Sequence, residues 1–139
     1  MAGIDECLFE AMQIPGALGA SVVDWTSGLS LGSVGSAPHQ DPEATAAETA
    51  ELARMAAEHP AFVPDGPDEG ATGATSSTGK ELPVEDVIVT TRTAYHVLRF
   101  VETTFDCSVF FHLWMDRDQG NLALARHRLR DLAERLVLG

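Results

Sequence analysis

The chain has few cysteines, and that shortage already excludes some classes of protein. Only Cys7 and Cys107 occur among its 139 residues, and they lack the CxxC spacing of a metal or redox site. We therefore expect both to be small buried side chains in a reducing compartment, with no disulfide between them. A single domain of this length buries roughly 68% of its unfolded surface and does not need cross-links.

Positive charge is also scarce. Lysine and arginine together number 9 against 21 acidic residues, which gives a net charge of −12. Residues 1–89 contain 15 of the acidic residues and only two basic ones, Arg54 and Lys80. Such a chain repels phosphate backbones and anionic lipid, so we expect neither a nucleic-acid partner nor a membrane-surface role. A basic protein surface is a better match.

Long apolar runs are missing. No stretch approaches the roughly 18 residues of a membrane-spanning helix, and we expect no direct membrane insertion. The first ten residues, MAGIDECLFE, carry acidic side chains where a signal peptide has positive ones. These features predict a cytoplasmic protein.

Catalytic and metal-binding motifs are absent as well. There is no GxSxG elbow, and the five histidines are scattered without the spacing of metal ligands. Residues 73–80 resemble a phosphate-binding loop, but five residues separate the glycines where the motif has four, and Glu81 replaces the magnesium-binding hydroxyl. We expect no enzyme, no metal and no cofactor. His112, between Phe111 and Leu113, is typical of a core histidine.

What the sequence does contain is a block of three strands between residues 84 and 115. Val84–Thr91, Ala94–Thr103 and Cys107–Met115 are rich in β-branched and aromatic residues, and the breaks between them are short. Short breaks favour antiparallel pairing, because a parallel crossover needs a dozen or more residues. Apolar side chains fall on both alternation sets of the last strand, which predicts a sheet covered on both faces.

A second pair of strands precedes this block. Ala17–Trp25 and Leu29–Val34 flank a Thr-Ser-Gly turn and predict a hairpin. Gly19 and Gly32 are small positions where a neighbouring backbone or helix can approach closely. Helical apolar stripes lie at the two ends of the chain, at residues 4–12 and 122–136.

The middle of the chain predicts another helix. Asp41-Pro42-Glu43 supplies a cap and a proline at the first helical position, and the helix should end near Glu58, before Pro60. Alanines form a smooth ridge along it that suits close contact with a sheet or a second helix: Ala46, Ala50, Ala53 and Ala57. Arg54 lies among acidic residues, and we expect it to pair with Glu51 and Glu58.

Residues 60–83 hold four of the seven prolines and four of the twelve glycines. This composition predicts a flexible loop, and residues 65–80 should be dispensable for stability. The whole chain, 1–139, then forms one domain with the order α-β-β-α-β-β-β-α. That order predicts an α+β fold in which helices flank both faces of a five-stranded antiparallel sheet.

The order of these segments resembles the Roadblock family. Residues 14–31 match its first hairpin, with a proline-glycine, an apolar strand ending in Asp, a glycine turn and a second strand. The Asp-Pro-Glu helix start, Tyr95 and Val97 in the fourth strand, and Gly120–Arg126 before the last helix agree with it. The resemblance covers nearly the whole chain outside 60–83 and implies a profilin-like fold.

The resemblance also implies a function. Roadblock proteins lack enzymatic activity and form homodimers or heterodimers through their third strands and second helices, and bacterial members regulate or scaffold small Ras-like GTPases. Carried onto this chain, the dimer and partner surface comprises Ala46, Ala50, Ala53, Ala57, Val87, Ile88, Val89, Thr90 and Thr91.

Two other functions fit the sequence. One is a ligand-sensing module with a pocket between Phe111, Trp114 and the flanking helices. The other is a structural adaptor that binds its partner in every nucleotide state. The last helix also carries Arg126, Arg128, Arg130 and Arg135, which predict a solvated face or a docking surface for an acidic partner.

Overall fold

A computed structural model describes residues 3–63, 83–102 and 108–136 of the protein. Its helices and strands, in chain order, are α1 (Ile4–Ala11), β1 (Ala17–Asp24), β2 (Leu29–Gly35), α2 (Pro42–Glu58), β3 (Asp86–Thr90), β4 (Ala94–Val101), β5 (Val109–Asp116) and α3 (Leu122–Arg135). Single turns of 3-10 helix lie at Pro38–Gln40 and Pro60–Phe62.

The five strands form one antiparallel sheet in the spatial order β2-β1-β5-β4-β3. The two predicted strand groups are joined at the centre, where β1 pairs with β5 and Val22 lies opposite Phe111. The chain therefore has the expected α+β architecture, with β2 and β3 at the two edges.

Helices cover the sheet on both faces, which explains the apolar side chains on both sides of β5. On one face, α1 and α3 enclose the larger core, which contains Leu8, Phe111 and Leu129. On the other face, α2 packs over a smaller core, which contains Val23 and Phe110. We call these the α1/α3 face and the α2 face.

The predicted ends of α2 are confirmed. The Asp41 carboxylate accepts a hydrogen bond of 3.0 Å from the Ala44 backbone N–H, and Pro42 occupies the first turn. The helix ends at Glu58, before Pro60. The local sequence defines this helix because both ends depend on adjacent residues.

Two glycines hold the hairpin close to its neighbours, as expected. A Cβ atom at Gly32 would lie 2.9 Å from a methyl group of Ile4 in α1. A Cβ atom at Gly19 would collide with the Ser36 carbonyl oxygen, just beyond β2. Larger side chains at either position would push α1 or the end of β2 away from the sheet.

The third strand is shorter than predicted. It spans Asp86–Thr90 and not Val84–Thr91, because Thr91 already belongs to the turn into β4. Most of the expected flexible loop and all of the phosphate-loop-like segment lie within 64–82, outside the described residues. Thr103 and Cys107, the predicted end of the fourth strand and start of the fifth, also lie outside the described residues. Within the described residues, no helix is both long and apolar enough to cross a membrane.

Candidate functional site

The predicted interface residues of the third strand lie at one edge of the sheet. Val87 and Ile88 are half-buried, whereas Val89 and Thr90 are exposed. β3 pairs with β4 on one side, and its other side has no strand partner among the residues that the structure describes. An edge strand of this kind presents backbone N–H and C=O groups that a further strand can pair with.

Thr91, the last predicted interface residue of this segment, is engaged within its own chain. Its hydroxyl accepts a 2.9 Å hydrogen bond from the Ala94 backbone N–H, and its own N–H donates to the Ala94 carbonyl. Arg117 donates to the Thr91 carbonyl at 2.8 Å. Thr91 therefore closes the turn between β3 and β4, and the edge strand itself ends at Thr90.

The alanine ridge lies beneath α2. Ala46, Ala50 and Ala53 are 0–2% exposed and pack on the sheet of their own chain, and Ala57 is half-buried at the rim of the same core. Small side chains at these positions let the helix axis approach the sheet. The ridge therefore seats α2, and the exposed side of the helix is formed by other residues.

Arg54 on the same helix has a different partner from the one predicted. Its guanidinium donates a 2.6 Å hydrogen bond to the backbone carbonyl of Trp25, the residue that follows β1. Neither Glu51 nor Glu58 forms an ion pair with it in the described part of the chain. Helix periodicity places Glu51 and Glu58 near Arg54, but the Arg54 side chain instead binds the Trp25 carbonyl, which is distant in sequence.

β3 and α2 border the same apolar rim. Val84 and Val87 from the β3 segment, together with Leu52 and Ala57 from α2, are partly buried against the α2-face core. Farther out on α2, Met55 is 55% exposed. β3 and α2 therefore share one core, although the closest approach of the α2 backbone to the sheet is at β1 and β2.

An ion pair fixes the start of β3. The Arg126 Nε of α3 lies 2.9 Å from an Asp86 carboxylate oxygen, and this carboxylate raises the pKa of Arg126. Arg99 of β4 lies 4.0 Å from the same carboxylate. Of the four arginines predicted to form a solvated or docking face on α3, Arg126 is thus committed to Asp86.

Of the other three arginines of α3, one forms ion pairs and two are exposed. Arg135 binds Glu10 of α1 at 2.7 Å and Asp131 at 3.2 Å. Arg128 and Arg130 are exposed and form no ion pair within the described ranges. Half of the basic set therefore holds α3 against its neighbours.

A cavity of about 270 Å³ opens on the α2 face, between the first turn of α2 and the sheet. Its lining includes Trp114 and His112 of β5, Ser21 of β1, Ser33 of β2 and Thr45 of α2. Trp114 thus lines a cavity, but the pocket expected between Phe111, Trp114 and the flanking helices does not form, because Phe111 and Trp114 lie on opposite faces of the sheet. Phe111 is fully buried and contributes to the core on the α1/α3 face.

A histidine pair forms the floor beside this cavity. His96 Nδ1 and His112 Nε2 lie 2.9 Å apart, and the two rings stack with centroids separated by 5.1 Å. His96 also stacks on Trp114 at 6.3 Å. Burial lowers the pKa of His112 to about 3, and burial also lowers the pKa of His96. Both rings are therefore neutral near pH 7, so one nitrogen donates and the other accepts.

Local sequence patterns did not indicate this pair. His96 and His112 meet only because β4 and β5 pair in a register that places Leu98 opposite His112 and His96 opposite Trp114. His112 itself is 4% exposed, as expected of a core histidine. Within the described ranges, no group of three or more His, Cys, Asp or Glu side chains could hold a metal ion.

Comparison with known proteins identifies the fold. No protein-family model matches the sequence, and no curated protein matches it. Several solved structures resemble this chain over nearly its whole length.

A Roadblock/LC7 domain from Streptomyces avermitilis has a TM-score of 0.65 at 15% identity, covering 96% of this chain and 94% of that one. The gliding protein MglB from Thermus thermophilus has a TM-score of 0.61 at 16% identity, covering 94% and 83%. MglB in a tetrameric arrangement has a TM-score of 0.62 at 18% identity, covering 95% and 83%. The chain thus has the Roadblock/LC7 fold, as its sequence predicted.

Proposed function

We propose that this protein is a non-enzymatic, cytoplasmic regulator or scaffold that forms a homodimer and binds a small Ras-like GTPase. The observation that carries the proposal is the outer edge of β3, which pairs with no other strand of the described residues, on a Roadblock/LC7 fold in which β3 and α2 pack against one core. The chain supplies a binding surface, and the chemistry belongs to the GTPase.

The edge of β3 has little to prevent pairing with another strand. Edge strands are commonly protected by lysine, proline or inward-pointing charge. In β3 the single charged residue is Asp86, which Arg126 neutralises, and the remaining four residues are Val87, Ile88, Val89 and Thr90. Antiparallel pairing of two copies at this edge would produce a continuous sheet of ten strands.

The helix contribution comes from the outward side of α2. The proposed surface includes α2 around its alanine ridge, which holds the helix on the sheet: Ala46, Ala50, Ala53 and Ala57. Met55, on the exposed side of the helix, is available to a partner. Because Leu52 and Val87 border one apolar rim, strand pairing would bring the two α2 helices together. Burial of this rim would add apolar contact to the backbone hydrogen bonds of the paired edges.

The first test is the mass of the protein in solution. Light scattering at micromolar concentration should give about twice the chain mass of 14.8 kDa. A mass of one chain over this concentration range would contradict the homodimer. MglB is known in a tetrameric arrangement, so a larger closed assembly built on the same β3 pair is also consistent with the proposal.

The second test is capture of the GTPase. Immobilised protein is incubated with host lysate loaded with GDP or with a non-hydrolysable GTP analogue, and bound proteins are identified by mass spectrometry. Enrichment of a Ras-like GTPase in one nucleotide state supports a regulator. Equal capture in both states supports a nucleotide-independent adaptor, and capture of none contradicts a GTPase partner.

A further inference from the structure

The cavity on the α2 face is lined by residues of β1, β2, β5 and α2 and by the connection between β2 and α2, and no residue of β3 is among its described lining. Its walls contain hydroxyl groups from three different elements: Ser21 of β1, Ser33 of β2 and Thr45 of α2. None of these three hydroxyls forms a hydrogen bond with another group in the described part of the chain. By contrast, the Thr49 hydroxyl, one turn after Thr45, donates to backbone carbonyls of its own helix.

The described lining of the cavity is uncharged, although the chain as a whole is strongly acidic. No Asp, Glu, Lys or Arg side chain is among the described residues that line it. His112, its most buried polar residue, stays neutral near pH 7 because burial lowers its pKa to about 3. An ionic ligand would lose its hydration without gaining a counter-charge, so the lining selects an uncharged one.

Aromatic rings give the cavity a flat, polarisable wall. Trp114 is half-buried and lines the cavity, and the His96 ring lies nearly parallel to both His112 and Trp114, at interplanar angles of 7° and 12°. The indole and imidazole groups combine apolar faces with N–H donors. This combination suits a planar heterocycle with its own donors and acceptors.

The volume sets the ligand size. Sites for drug-sized molecules occupy about 300–1,000 Å³, and this cavity, at about 270 Å³, lies just below that range. We propose that it binds a neutral, planar, hydrogen-bonding heterocycle of nucleobase size. Thr45, Ser21 and Ser33 would bond its polar edge, with Trp114 beside its ring.

The proposal is tested by titration with free bases. Trp25→Phe leaves Trp114 as the single tryptophan, and because Trp25 Nε1 has no hydrogen-bond partner within the described residues, the change breaks none there. Adenine, hypoxanthine, cytosine and uracil are titrated at pH 7.5 while Trp114 emission is followed. At least one base should give a saturable change with a dissociation constant below about 1 mM.

Matched variants identify the site. Thr45→Val should weaken binding about tenfold, because it removes one hydrogen bond to the ligand without changing shape. Thr49→Val, whose hydroxyl serves its own helix, should leave the affinity unchanged. If Thr45→Val lowers the stability of the protein, Ser21→Ala tests the site independently, because it removes a hydroxyl group from the sheet side of the cavity.

Three results would overturn the proposal. The first is that no base binds at millimolar concentration, as expected of a cavity that holds only water. The second is equal loss of affinity in the Thr45 and Thr49 variants. The third is tighter binding of adenosine monophosphate than of adenine, since a phosphate finds no cation among the described residues of this lining. Light scattering of the same variants measures their dimerisation, so that a failure of base binding is distinguished from a failure of the proposed dimer.

Discussion

His112 is the most consequential polar residue of the described core. It is 4% exposed and shares a 2.9 Å contact with His96, so the folded chain keeps it neutral. In the unfolded chain the imidazole has its ordinary pKa, whereas burial lowers the folded-state pKa to about 3. Between about pH 3 and pH 6.5 the unfolded state therefore binds one more proton, and stability rises with pH.

This difference predicts a measurable pH dependence. The unfolding free energy, measured by urea denaturation, should fall by about 2 kcal/mol between pH 7.5 and pH 5 through His112 alone. His112→Gln, which keeps a polar side chain but cannot be protonated, should lose that dependence. His127→Gln, exposed on α3, should retain it. Identical slopes in all three proteins would contradict a buried neutral His112.

At the residue scale, sequence reasoning succeeded where a side chain acts on its own segment. The Asp41 cap follows from local chemistry and is observed. It failed where a partner comes from a distant strand. The Arg54 contact with the Trp25 carbonyl and the His96–His112 pair depend on helix placement and strand register, which local patterns do not specify.

At the scale of elements, the small side chains of α2 determine how close the helix lies to the sheet. Ala50 is 1% exposed against the α2-face core, whereas Ala47 on the same helix is exposed. Ala50→Leu should lower the unfolding free energy by about 1–3 kcal/mol, because a larger side chain there must displace the helix or strain its neighbours. Ala47→Leu should change stability by less than about 0.5 kcal/mol.

Thermal or urea unfolding of both variants measures this effect. Equal stability of the Ala50 and Ala47 variants would mean that the ridge does not seat the helix. The sequence predicted the alanine ridge and its suitability for close contact, but not which surface it meets. Both a sheet and a second helix remained open until the position of α2 was known.

The edge of β3 gives a second prediction at this scale. Val89→Lys places a charge on the exposed side of the edge strand, where pairing with a second copy would desolvate it. We expect light scattering to show a shift from two chain masses toward one. Leu31→Lys, on the opposite edge strand β2, is the matched control because Leu31 is 45% exposed. It should leave the mass unchanged.

The same measurement can reject the proposed surface. A dimer that survives Val89→Lys but dissociates with Leu31→Lys would assign the interface to β2. Far-UV circular dichroism of each variant distinguishes loss of the dimer from loss of the fold.

At the scale of the whole molecule, the loop prediction is still to be tested. Its composition predicts that residues 65–80 contribute little to stability. Replacing them with a short Gly-Ser linker should change the unfolding free energy by less than about 1 kcal/mol. A larger loss would show that this segment packs on the domain. A change in dimer mass alone would instead indicate that it modulates pairing at β3.

The architecture was predictable from sequence to a large extent. Element order, antiparallel pairing and coverage of both faces follow from periodicity, short connections and the apolar residues of β5. The order of strands across the sheet does not, because nothing local specifies that β1 lies beside β5. Trp114 was expected to line a pocket together with Phe111, but the cavity beside Trp114 lies on the other face, and its walls depend on the position of α2.

The pairing of β1 with β5 has a consequence for biosynthesis. Val22 lies opposite Phe111, so the centre of the sheet cannot close until most of the chain has left the ribosome. Until then the hairpin of β1 and β2, in which Asp24 is the sole charged residue, lacks β5, its eventual neighbour in the sheet. Contacts so distant in sequence slow folding. The nascent hairpin is therefore where a ribosome-associated chaperone would be needed, and where premature termination of translation would leave an aggregation-prone fragment.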